Sequence, residues 1–174
     1  VQDKSEPDHP IATLLARVGE NWPEAATPEM ALSLLVQRLA RLLQELATDC
    51  LAPFGLSVTE FEVLAALRTH PAPHRLTPSR LYEATLLSSG GLTKVLKGLE
   101  AEGLVGRPAA DGDGRSRPVE LTEAGRERVE AAMAAVQAAE APLLVGAMAA
   151  PADADRLQSL LGRALAVAEA RRRG

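Results

Sequence analysis

The sequence predicts a mainly α fold carrying a small β-hairpin, and three observations predict it. The 174 residues are 47% hydrophobic but only 2% aromatic, so the core has to be built from Leu, Ala and Val, a composition typical of helices packed on helices. Leucines recur at i, i+3, i+4, i+7 spacing in separated stretches, the period of amphipathic helices. One region, 104–122, instead reads as two short strands around a loop rich in Gly and Asp. The apolar content suffices for one compact domain, or for a small domain with dimerisation helices.

The elements follow in order. Ile11 to Val18 forms a short helix ahead of Gly19, Trp22 and Pro23. Thr27-Pro28-Glu29 supplies an N-cap, a proline at the first helical position and an acid in the first turn. The helix it opens carries Leu32, Leu35, Val36, Leu39, Leu42, Leu43 and Leu46, and stops before Pro53-Phe54-Gly55. Ser57 to Glu60 is a capping box, and the helix beyond it holds Phe61, Leu64 and Leu67 and ends near His70-Pro71.

After a loop with two prolines, Thr77-Pro78 starts a short helix through Leu81 and Ala84. A turn around Leu86-Leu87 and Ser88 leads into a helix with Leu92, Val95, Leu96 and Leu99 on one face, which Gly103 ends. Two short helices joined by a tight turn make a helix-turn-helix. Leu104 to Arg107 and Pro118 to Thr122 then give the two strands of a wing. Glu123 to about Ala139 is helical, with Pro142 interrupting, and a last helix runs from about Pro151 to Arg173 with Leu157, Leu160, Leu161 and Leu165 on one stripe. The fold predicted is a winged helix-turn-helix with N- and C-terminal dimerisation helices. Its divisions are an N-terminal extension at 1–27, a helical dimerisation region at 28–56 and 123–174, and a DNA-binding domain at 57–122.

Net charge is −4, which taken whole argues against nucleic acid. Its distribution does not, because residues 75–117 hold seven Lys and Arg against five Asp and Glu while both flanking segments carry an acidic excess. A single cysteine, Cys50, excludes an internal disulfide framework and a multi-cysteine zinc site. The lack of an 18-residue apolar run or a signal-peptide pattern predicts a cytoplasmic protein without membrane association. His70 and His74 stand four apart, but Pro71 and Pro73 between them deny a shared helical face for a metal. No Ser/His/Asp constellation, phosphate loop or flavin motif is present, so neither catalysis nor a cofactor is expected.

The stretch LTPSRLYEATLLSSGGLTKVLKGLEAEGLVGR at 76–107, followed by DGDGRSRPVELTEAG at 111–125, resembles the core of a MarR-type transcriptional regulator, a resemblance that covers residues 28–140. Its most specific part is Asp113-x-Arg115 followed by Leu121-Thr122; at Gly114, where the family often has Arg, this wing has one cation fewer. The resemblance implies a homodimer that binds a palindromic double-stranded DNA operator, as a repressor, and is released by a small ligand or an oxidant.

On that reading Arg115 enters a minor groove from the wing, oriented by Asp113, with Arg117 beside it on glycine-rich backbone. Ser88 or Ser89 caps the recognition helix and offers phosphate contacts. Gly90 allows close approach to the DNA backbone, Thr93, Lys94 and Lys97 lie off the buried stripe with Thr93 and Lys97 facing base edges, and Arg80 binds backbone. The N-terminal segment with Trp22, TPEM and SVTEFEVLAAL is similar to the urate-responsive branch. That similarity implies a small anionic, aromatic effector contacted by Trp22, Glu62 and Lys94, the last two keeping only the charge of the branch's Asp and Arg. Two alternatives stand beside this reading: a winged helix that binds protein without specific DNA binding, and a redox sensor built on Cys50.

Overall fold

A computed structural model describes residues 10–85, 89–108, 117–146, 148 and 150–173. The order is α1 (Pro10–Asn21), α2 (Pro28–Leu51), α3 (Val58–Thr69), β1 (Arg75–Leu76), α4 (Pro78–Ala84), α5 (Ser89–Ala101), β2 (Val105–Gly106), β3 (Val119–Leu121), α6 (Glu123–Leu144) and α7 (Pro151–Arg173). This is the mainly helical fold with a small β element that the composition predicts. The chain divides into two compact units, Val1–Glu45 and Leu46–Gly174.

In the first unit, α1 ends with the Asn21 amide donating to the Arg17 carbonyl at 2.9 Å, and a single 3-10 turn, Pro23–Ala25, follows Trp22. The Thr27 hydroxyl accepts from the Met30 N–H at 3.3 Å, the cap that the Thr-Pro-Glu sequence dictates. The Glu29 carboxyl is held below its usual range by its own backbone N–H and by the Thr27 hydroxyl.

In the second unit, Leu51 at the end of α2 is fully buried, and the chain turns through a 3-10 segment to Gly55 at φ 66°, a left-handed conformation that glycine adopts without a Cβ penalty. The capping box of α3 is reciprocal: Glu60 N–H donates to Ser57 Oγ at 3.3 Å while Ser57 N–H donates to the Glu60 carboxylate at 2.9 Å. The helix so fixed supplies Val63, Leu64 and Leu67, each 0% exposed, to the core.

The sheet is larger than the hairpin read from the sequence. Arg75–Leu76, within the region expected as loop, is a third strand, and the order is β1-β3-β2 with both pairings antiparallel. Arg75 faces Glu120 across the ladder, and their side chains pair at 2.6 Å. β2 and β3 are also shorter than the segments 104–107 and 118–122 expected.

Behind the sheet, Thr122 joins wing to helix. Its backbone N–H donates to the Leu104 carbonyl at 3.1 Å, and its hydroxyl lies 2.8 Å from the Gly103 carbonyl and accepts from Gly125 N–H at 3.0 Å. A Cβ on Gly125 would stand 2.0 Å from the Leu104 oxygen, so only glycine lets α6 seat against the strand. The interruption expected at Pro142 does not occur, because α6 continues to Leu144 with Pro142 inside it. Proline so near a helix end removes one N–H bond from a turn about to terminate, and the loss stays local.

α3 and α6 are tied by an ionic chain. Arg68 Nε donates to Glu130 at 2.7 Å, and Arg126 reaches Glu130 at 3.1 Å while also pairing with Glu123. The Arg68 hydrogen bond, ahead of Arg126, holds the Glu130 carboxyl below its ordinary range; Arg126 does the same to Glu123 and is itself raised by both carboxylates.

Candidate nucleic-acid interface

α4 and α5 form the helix-turn-helix. The Thr77 hydroxyl accepts from Arg80 N–H at 3.4 Å with Pro78 in the first turn, Leu81 is 0% exposed, and the buried Thr85 hydroxyl closes the helix on the Leu81 carbonyl at 2.7 Å. α5 packs its leucine stripe inward, with Leu92, Leu96 and Leu99 at 4%, 2% and 0% exposure. Gly103, at φ 69°, stops it, with Leu104 N–H returning to the Leu99 carbonyl at 2.9 Å.

Burying that stripe leaves Thr93, Lys94 and Lys97 exposed on the rest of α5. Ser89 and Gly90 fall in its first turn. Ser88, Asp113 and Arg115 lie outside the described residues. Arg117, at the return of the wing, is exposed. Arg80 is exposed on α4 and pairs with Glu83 at 2.9 Å, the two side chains 71% and 61% exposed. Surface pairs of this kind contribute at most about 1 kcal/mol, so a phosphate can displace Glu83.

Of the three effector residues expected, Trp22 is 65% exposed in the first unit, and Glu62 on α3 and Lys94 on α5 are exposed in the second. None of them lines the concavity between α4 and α5. That cavity, about 530 Å³, is bounded by Pro78, Ser79, Tyr82 and Glu83 of α4, Leu92, Thr93 and Leu96 of α5, and Arg107 after β2. Its size falls in the range of small-molecule sites, roughly 300–1,000 Å³. A groove of about 260 Å³ between α3 and α6 falls below it.

Sequence reading missed this cavity because its walls come from three segments whose proximity is tertiary. The visible signal was Arg107, a cation one residue beyond a buried strand. Its guanidinium pairs with Glu100 in the last turn of α5 and donates to the Arg117 carbonyl at 3.2 Å. Cys50 is a free thiol, partly buried and packed against the core, the position of a small apolar side chain. Among the described residues no group of three or more His, Cys, Asp or Glu could hold a metal, and no single helix is long and apolar enough to cross a membrane.

A profile of the MarR family matches residues 54–116. The chain is 34% identical over 113 residues to the HTH-type transcriptional repressor Rv2887 of Mycobacterium tuberculosis, spanning 65% of this chain and 79% of that one. It is 32% identical over 90 residues to the HTH-type transcriptional regulator PecS of Dickeya dadantii, spanning 52% of this chain and only about half, 54%, of PecS. Among solved structures, Rv2887 in complex with p-aminosalicylic acid is similar with a TM-score of 0.60 at 30% identity, over 76% of this chain and 96% of that one. A cysteine-to-serine mutant of MarR from E. coli, complexed with operator DNA, is similar with a TM-score of 0.67 at 25% identity, over 85% and 97%. A helix-turn-helix with an inward leucine stripe, a short-stranded wing behind it and identity over most of a mycobacterial repressor converge: the chain belongs to the MarR family of transcriptional regulators, not to a family of enzymes.

Proposed function

We propose that the protein is a homodimeric, cytoplasmic repressor that binds a palindromic DNA operator and is released by a small anionic aromatic ligand. The observation that carries the reading is the division of α5 into a buried face, Leu92, Leu96 and Leu99, and an exposed face, Thr93, Lys94 and Lys97. A helix held so firmly on one side and presenting donors on the other fits a major groove. Ser88, Ser89, Gly90, Arg80 and Arg117 contact phosphates, while Arg115, oriented by Asp113, reaches the adjacent minor groove.

The dimer reading is supported by Leu32, Leu35, Val36, Leu39 and Leu42 of α2 and by Leu157, Leu160, Leu161 and Leu165 of α7, each 39% exposed or more. These stripes favour a dimerisation region made of the helices of 28–56 and 123–174, apart from a reading domain of 57–122. Two recognition helices would then lie about 34 Å apart, one turn of DNA.

We assign the effector to the cavity between α4 and α5. Leu92, Leu96 and the Tyr82 ring offer an apolar slot, Ser79 and Thr93 offer hydroxyls, and Arg107 offers a cation, a combination suited to a flat aromatic carboxylate. That Rv2887 was solved with p-aminosalicylic acid favours this class.

The test uses a duplex selected from random sequence by the wild-type protein. Lys97→Ala and Arg115→Ala should each weaken binding by about tenfold, the loss of one base contact of roughly 1–3 kcal/mol. Arg80→Ala should instead flatten the salt dependence by about one unit. Selection that enriches no sequence, with protein capture intact, would favour a protein-interaction module.

A further inference from the structure

Positive charge on the reading domain is divided by residue type. Three of the chain's 19 Lys and Arg residues are lysines, Lys4, Lys94 and Lys97, and the last two stand one turn apart on the exposed face of α5. The guanidinium groups around them are engaged: Arg68 pairs with Glu130 at 2.7 Å, Arg75 with Glu120 at 2.6 Å, Arg80 with Glu83 at 2.9 Å, and Arg107 with Glu100. Among the described residues no carboxylate pairs with Lys94 or Lys97. Two primary amines are thus left open to solvent on one helix face.

We propose that Lys94 and Lys97 form a site of N-acylation by acyl phosphates, and that acylation keeps the released protein off DNA. The effect on DNA rests on α5 being the reading helix, as proposed above.

Three physical points carry the site. A guanidinium stays charged and inert to acyl donors, whereas a lysine amine is the group that acylation takes, so the only charges of the described reading face open to this chemistry are on α5. An acyl phosphate is an anion, and residues three apart on a helix have Cβ atoms about 5–6 Å from each other. One ammonium therefore holds the phosphate while the other nitrogen, unprotonated, meets the carbonyl carbon. Like charges at this spacing also repel, so neutralising one amine relieves the other.

In the step itself the nitrogen lone pair attacks the carbonyl carbon and a C–N bond forms. The C–O bond to phosphorus breaks, and inorganic phosphate leaves with that electron pair and takes up the amine proton. The product is a neutral amide. Each acyl group deletes one cation from the DNA-facing surface, which should make the salt dependence of binding shallower by about one unit. Bound DNA covers both amines, so the reaction acts on free protein and delays its return to the operator.

The experiment treats the full chain with acetyl phosphate, maps the acetyl groups by peptide mass spectrometry, and repeats the treatment with acetic anhydride, a neutral donor that needs no anion site. With acetyl phosphate, Lys97 should react several-fold more slowly in Lys94→Ala than in wild type, and near the wild-type rate in Lys94→Arg, which keeps the cation. With acetic anhydride all three proteins should react alike at Lys97. Equal slowing with both donors, or none with acetyl phosphate, would overturn the paired site.

Binding to the selected duplex gives the second readout. Acetyl phosphate should weaken wild type by about tenfold relative to its untreated sample, and should leave the Lys94→Arg, Lys97→Arg double variant as tight as its own untreated sample. Duplex added before the reagent should protect both lysines. If both lysines of wild type are acetylated and the duplex binds undiminished, control of DNA binding is refuted. If selection enriches no duplex, the effect on DNA falls with the reading of α5, while the two acetylation rates decide the site by themselves.

Discussion

α5 and α7 carry the same pattern and meet opposite fates. Leu92, Leu96 and Leu99 on α5 are at most 4% exposed, whereas Leu157, Leu160, Leu161 and Leu165 on α7, spaced alike, are 41–60% exposed. An apolar stripe states that a helix face requires burial; it does not state what buries it. On α5 the cover comes from the same chain, chiefly α3 and the sheet. On α7 every described side chain is exposed, so no described part of the same chain covers that stripe.

Single truncations should separate the two helices most sharply. Leu99→Ala removes a fully buried side chain and should lower unfolding free energy by about 3 kcal/mol, independent of protein concentration. Leu160→Ala, starting 48% exposed, should leave the unfolding of the isolated protomer within about 0.5 kcal/mol and instead weaken self-association, so that its loss of stability relative to wild type varies with protein concentration. Denaturant titration at two protein concentrations measures both. Equal and concentration-independent losses would erase the contrast.

Next in size is the junction between wing and α6. Gly125→Ala places a methyl group 2.0 Å from the Leu104 oxygen, and the forced retreat of the helix should cost roughly 1–3 kcal/mol in urea unfolding. An unperturbed variant would mean that α6 is not seated on the strand as described.

The smallest effect is electrostatic. Glu130 is held below its ordinary pKa by Arg68 and then Arg126, so the folded state keeps it ionised at pH values where the unfolded chain takes up a proton. Its contribution is complete above the unfolded value of 4.5 and fades as pH falls through the lower folded value. Glu130→Gln should therefore destabilise modestly near neutrality and flatten the acid limb of the stability curve. An acid limb unchanged by the substitution would assign it to other carboxylates.

Legibility followed the range of the interaction. Capping at Ser57 and Thr77, the stop at Gly103 and the stripe of α5 are local rules, and each could be read from neighbouring residues. β1 could not, because two residues carry no period and their partner, Val119–Glu120, is more than forty positions away. Pro142 misled because a proline that breaks a helix interior is tolerated in a last turn. The cavity escaped notice because α4, α5 and Arg107 meet only in three dimensions. Arg107 was not legible either, because Glu100 and the Arg117 carbonyl meet on its guanidinium only once the chain is folded.

The decisive measurement is a hydroxyl-radical footprint of the protein on a duplex that it has selected from random sequence. A two-fold assembly reading DNA through α5 and the wing predicts two protected segments related by a dyad and centred about one helical turn, roughly 10 base pairs, apart. A single protected segment would contradict the proposed two-fold assembly, and uniform protection along the duplex would contradict sequence reading by α5.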